Sequence, residues 1–286
     1  MGRMSRASLI DPVTRQWVRL TGRRVDLADY PWLDGPVGDP ETVGHEWISR
    51  EAARLGGTLV HDDDEAGLLA SMSALAGQTF EPRRLRREIA DFYERTARWR
   101  LELWSQWSPA AWPFGWLLST LFARRLQQLS LPLRPLDTAR GLDSRIASVR
   151  DDAGSVLGAA WVRTLRATGE TVYSGWYGTA RLPGSDQPSV RVVFPLPTGS
   201  LTVFLRPEMT AGGNLRLRSP LGAFGDDGAY LLVREPAGAT AWVRRAPVAE
   251  CFEVYVDGEG VLRTDHDLRL WTLSVLRLHY RLEPRR

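Results

Sequence analysis

From about residue 142 onward the chain repeats one device: a short run rich in valine, leucine, tryptophan and tyrosine, then a cluster of turn residues. The runs fall at 145–150, 159–166, 171–181, 190–195, 200–206, 214–219, 229–235, 241–246, 250–256, 261–270 and 274–282. Clusters such as LPGSDQPS, TAGGN, GDDG and DGEG separate them. Strand formers joined by hairpin-length turns build antiparallel ladders, because each turn returns the chain beside the strand it has just left. A parallel nucleotide-binding sheet needs crossover helices, and no long helical stretch lies between these runs. The expectation is a strongly curved antiparallel sheet or barrel of about ten strands, since twisted sheets of that size curl or close.

The first half reads differently. Asp39-Pro40 supplies a cap and a first-turn proline, and Gly56-Gly57 a stop, so the spacing predicts a helix near 40–55. HDDDE at 61–65 reads as the acidic start of a short helix over 61–77, in preference to a metal site, because hard-cation loops interleave their ligands. Leu85, Ile89, Phe92, Tyr93, Trp99, Leu103, Trp104 and Trp107 recur at helical steps and predict a long helix over 83–107. A second amphipathic helix is expected over 113–129. The class is therefore α+β: a segment of uncertain order at 1–35, a helical region at 36–137, and a sheet at 138–286, integrated with the helices as one domain.

Composition restricts the chemistry. All 37 basic residues are arginine, so Schiff-base, pyridoxal-phosphate and phosphate-loop lysine chemistry have no amine to use. The net charge of +3 is too small and too dispersed to predict nucleic-acid binding. A lone cysteine, Cys251, leaves no intrachain disulfide or cysteine-rich metal centre, and no metal or other cofactor is expected. The N-terminus lacks an apolar signal core, and the longest uncharged apolar run, at 110–123, is shorter than the ~20 residues a spanning helix needs. These features predict a cytoplasmic protein.

The densest chemistry lies in VLRTDHDLRLW at 261–271. Strand side chains alternate, so His266 shares a face with Leu262, Thr264, Leu268 and Leu270, while Asp265 and Asp267 point the other way with Arg263 and Arg269. The turn DGEG at 257–260 predicts a hairpin in which Val256 pairs with Val261. That register sets Cys251 opposite His266 and Glu253 opposite Thr264, making His266, Glu253 and Cys251 candidate catalytic residues, with Tyr255 on the same face.

Twelve tryptophans compete for three roles: core, the walls of a cavity, or an interfacial membrane helix at 112–129 with Trp112 and Trp116. Trp161, Trp176 and Trp242 fall in strands and, with Tyr255, are candidate ligand-binding residues. The main expectation is a protein that holds a hydrophobic or aromatic small molecule, lipid- or polyketide-like, in a β-walled cavity of lipocalin-like architecture. The alternative is a cofactor-independent isomerase, cyclase, hydratase or hydrolase using His266 as acid or base in that cavity. A peripheral membrane-surface protein is the third reading.

Overall fold

The computed structural model describes residues 10–38, 46–61, 63–107, 142–166, 169, 171–235 and 238–285. Three helices, α1 (Ile10–Thr21), α2 (Glu46–Arg54) and α3 (Arg87–Glu94), accompany one 14-stranded sheet. The first 107 residues contribute β1 (Arg23–Asp26), β2 (Thr58–Val60) and β3 (Trp99–Trp107). The rest follow in sequence as β4 (Leu142–Arg150), β5 (Val156–Leu165), β6 (Thr171–Arg181), β7 (Pro188–Leu196), β8 (Gly199–Met209) and β9 (Leu215–Ser219). Then come β10 (Gly228–Arg234), β11 (Thr240–Arg245), β12 (Val248–Val256), β13 (Leu262–Leu270) and β14 (Leu273–Pro284).

The path runs β2-β4-β5-β6-β7-β8-β9-β12-β13-β14-β3, and every named pair is antiparallel. At β8 the sheet forks. Gly199–Phe204 pair with β10, which leads on to β11 and β1, whereas Arg206–Met209 pair with β9.

Central strands are buried on both faces, which is why their sequences read as nearly continuous apolar runs. In β5, Ala160 and Val162 pack with Trp176, Val193 and the α2 residues Trp47 and Ile48 on the convex side. Ala159 and Trp161 face the other way, into a cluster shared by α3 and residues of β6, β7, β8, β12 and β14. A flat sheet could not bring such distant strands onto one core, so the sheet is strongly concave. α3 lays Ile89, Phe92 and Tyr93 into this concavity, with Phe92 edge-on to Trp161 at 6.4 Å.

The front of the chain departs from the expected helices. The predicted helix over 83–107 stops at Glu94, where Arg95 takes φ −140° and ψ 48°. Trp99 to Trp107 then form β3, which pairs along β14 from Trp99↔Pro284 to Trp107↔Leu276. WRLELW satisfies period two as well as helical spacing, and the open edge of β14 decides between them. Over 61–77 the described residues hold one 3₁₀ turn, Met72–Leu75, instead of a helix. Of its acids, Asp63 pairs with Arg150 at 2.8 Å, and Glu65 pairs with Arg95 and Arg98. Of the helix expected near 40–55, α2 covers Glu46–Arg54; residues 39–45 lie outside the described residues, as do Trp112, Trp116 and the helix expected at 113–129.

β3, one end of the sheet path, and β4, next to the other end β2, approach each other without a ladder between them among the described residues. Arg285 bridges them: its backbone N–H donates to the Arg98 carbonyl at 2.6 Å and its Nη2 to the Ser144 carbonyl at 2.8 Å. A cleft of about 880 Å³ opens along this seam, lined by Leu101, Leu142, Ser144 and the arginines 100, 145, 166 and 285. No described helix is long and apolar enough to cross a membrane.

Candidate functional site

Inside the concavity, beside the seam, β5 turns a positively charged side chain inward. Arg163 follows Trp161 by two residues and shares its face, so its guanidinium folds back over the indole, 3.7 Å from the ring centroid. Tyr173 of β6 and Tyr280 of β14 stand around the same guanidinium, at 4.5 and 5.6 Å. Arg163 is 7% exposed, its Nε has no hydrogen-bond partner, and no carboxylate of the described residues forms an ion pair with it. A buried charge left this way is costly, and such sites are found where a ligand supplies the missing partner.

Three tyrosines surround this charge. Tyr173 and Tyr177, four residues apart on one face of β6, hydrogen-bond through their hydroxyls. Burial pushes Tyr173 well above the usual phenol range and Tyr177 up to about 12, with the Arg163 charge opposing the rise in both. Tyr280 is raised by burial too, again opposed by Arg163. All three are neutral hydrogen-bonding groups at physiological pH. The Trp161 indole N–H donates to Ser144 Oγ at 2.7 Å. Ser144 sits opposite Arg163 in the ladder and also lines the seam cleft, so cleft and buried cluster adjoin.

His266 faces the same interior from β13. It is 9% exposed and stacked on its ladder partner Phe252, with centroids 3.7 Å apart and planes 14° from parallel. Neither ring nitrogen has a hydrogen-bond partner, and Nε2 lies 3.7 Å from Glu250 Oε2, beyond bonding distance. The Glu250 charge helps raise both Tyr177 and Tyr280. Apolar residues of this face, among them Phe252, Leu201, Leu231 and Val248, are only partly buried.

The other sequence candidates sit elsewhere. Val256 pairs with Leu262, not Val261, so Cys251 stands opposite Asp267 and Glu253 opposite Asp265. The cause is the turn: the Asp257 N–H donates to the Val261 carbonyl, Asp257 Oδ1 accepts from the Glu259 and Val261 N–H groups, and Gly260 takes φ +79°. The loop thus holds one residue more than the expected DGEG, and one residue of slip reverses every facing. Cys251, Glu253 and Tyr255 lie on the convex side, away from His266. Burial first, and then the neighbouring Glu253 charge, raise the Cys251 thiol, opposite to what an activated nucleophile needs.

Asp265 does meet a histidine, but across the ladder: His279 Nδ1 lies 2.6 Å from its Oδ1, and Tyr255 donates to its Oδ2 at 3.1 Å. Trp176 is buried on the convex side against Trp47, and Trp242 is tied to Glu235 at 3.0 Å on the branch strand β11. Trp161 alone of the four proposed ligand-binding residues joins the concave cluster.

Arg163, Tyr173, Tyr177, Glu250 and Tyr280 were not singled out by the sequence reading. The available signals were an arginine inside the apolar run AAWVRTL and two tyrosines of equal parity in TVYSGWY. Among the described residues no group of histidine, cysteine and acidic side chains could hold a metal ion. Comparison with known families, curated proteins and solved structures finds no match to this chain.

Proposed function

We propose that this chain binds a hydrophobic or aromatic small molecule, lipid- or polyketide-like, within the concave face of its sheet, with the seam between β3 and β4 as the way in. The observation that carries the reading is the pairing of partly uncovered apolar side chains with buried polar atoms that have no hydrogen-bond partner, Arg163 Nε and the two ring nitrogens of His266. Ligand sites combine a mostly apolar wall with a few converging polar groups in this manner, whereas a closed core satisfies its polar atoms internally. Native mass spectrometry of freshly purified protein, before and after denaturation, tests it. A released organic mass, or saturable uptake of a hydrophobic fluorophore that Phe252→Ala weakens, supports the reading. Absence of both refutes it.

A second reading makes His266 an acid or base acting on the bound molecule. It is favoured by the Glu250 carboxylate 3.7 Å from Nε2, close enough for a small shift to complete an oriented pair. Glu250 here takes the place expected for Glu253. On this reading His266→Gln abolishes turnover of the released compound while keeping its binding within severalfold. Equal turnover by both proteins would exclude it.

A further inference from the structure

The surroundings of Arg163 specify the polar end of the ligand. One face of its guanidinium is covered by the Trp161 indole at 3.7 Å, so the edges of the group remain for hydrogen bonding. The unpartnered donor is Nε, which belongs to the side-on edge that meets a planar two-oxygen acceptor with two parallel N–H bonds. The Tyr280 ring stands 5.6 Å from the guanidinium, and its hydroxyl has an O–H to donate. Tyr173 and Tyr177 share one hydrogen bond, which uses one of their two protons and leaves the other. The cluster therefore presents a single fixed positive charge and several neutral donors. Glu250, the one carboxylate bearing on the tyrosines, stands beside His266 and makes no ion pair with Arg163.

We infer that the ligand is an amphiphilic carboxylic acid whose carboxylate sits on the Nε edge of Arg163 and accepts from the hydroxyls of Tyr280 and the Tyr173–Tyr177 pair. This inference rests on the cavity reading above. One guanidinium neutralises a monoanion, whereas a phosphate monoester would bring a second negative charge into a buried site with nothing to balance it. An alcohol or hydrocarbon end would leave the arginine charge as it stands. The apolar body lies against Phe252, Leu201, Leu231 and Val248, on the same concave face.

The test uses the full chain, a dansyl-labelled undecanoic acid and its methyl ester, which share a body and differ in the head group. The wild-type protein is expected to bind the acid at least about tenfold more tightly than the ester, and Arg163→Gln to bring the acid within about twofold of the ester. Unchanged ester affinity shows that the variant is folded. Should Arg163→Gln fail to fold, Tyr280→Phe is expected to weaken the acid several-fold and spare the ester. Equal binding of acid and ester by wild type, or an acid preference that survives both substitutions, overturns the carboxylate assignment and leaves the cavity reading intact. If neither probe binds saturably, the cavity reading itself falls, and this inference with it.

Discussion

His266 offers the sharpest separation between a site and a core. Both of its ring nitrogens are buried without partners while the ring lies flat on Phe252 at 3.7 Å. A residue kept for stability would not be built this way, because an unsatisfied buried polar group costs about 1–3 kcal/mol. His266→Phe removes that cost and keeps an aromatic ring against Phe252. The wider ring crowds its neighbours by about 1 kcal/mol, so the net expectation is a gain of about 0–2 kcal/mol. For a chain of this size that is a rise in Tm of up to roughly 8 °C. Urea unfolding followed by tryptophan fluorescence reads the free energy, and scanning calorimetry the Tm. If His266 acts on the bound molecule, the same variant should abolish turnover while binding stays within severalfold, so stability and function move in opposite directions. A loss of more than about 1 kcal/mol would refute the reasoning, since it would mean that His266 holds the fold through bonds it is here argued to lack.

Three further outcomes follow from other parts of the molecule. Asp227 is fully buried, pairs with Arg206 Nε at 2.9 Å and accepts from Ser189, so Asp227→Asn is expected to cost about 2–3 kcal/mol in urea unfolding, moderated because Arg206 is partly solvated. A Cβ on Gly158 would stand 2.2 Å from the Trp176 ring, so Gly158→Ala should displace that indole from Trp47, change the intrinsic fluorescence and cost about 1–3 kcal/mol. Tyr177 ionises near 12 in the folded chain against about 10 unfolded, so the unfolded state gives up its proton first and stability falls as pH rises from 10 towards 12; Tyr177→Phe should flatten that alkaline limb in pH-dependent melting curves.

An acid-side counterpart tests the branch strand. Glu235 is held down to about 2, chiefly by the hydrogen bond from Arg24 of β1, with Thr240 and Trp242 adding theirs. Its contribution is therefore present above the ordinary carboxylate range and lost as pH falls through about 2. The protection factors of the β1 amides, taken against intrinsic exchange at each pH, should fall over that interval in the wild type, and Glu235→Gln should remove that fall.

The strands of the second half were legible because each begins and ends at turn residues and its apolar pattern has no helical competitor of sufficient length; β6, for example, runs over the expected 171–181. β3 was hidden for the opposite reason. WRLELWSQW fits two periods at once, and the pairing edge that decides lies more than 160 residues away on β14. The direction of His266 was readable from strict alternation, since it needs only the strand itself. Its partners were not, because a hairpin register depends on the length of the turn, and Asp257 draws Val261 into the loop. The Arg163 cluster lay deeper still. Its members come from β5, β6, β12 and β14, which sequence cannot bring together until the curvature of the sheet is known.

The seam has a consequence for how the molecule meets its own copies. Where β3 faces the Leu142–Ala147 part of β4 across the cleft, backbone donors and acceptors along two strand edges lack a described ladder partner, and such edges invite pairing with another chain. Arg100, Arg145, Arg166 and Arg285 line that opening. Arg166 is paired with Asp143 and Arg100 with Glu283, so Arg145 and Arg285 carry the positive charge of the rim. Charged side chains beside a strand edge disfavour its pairing with a neighbouring molecule.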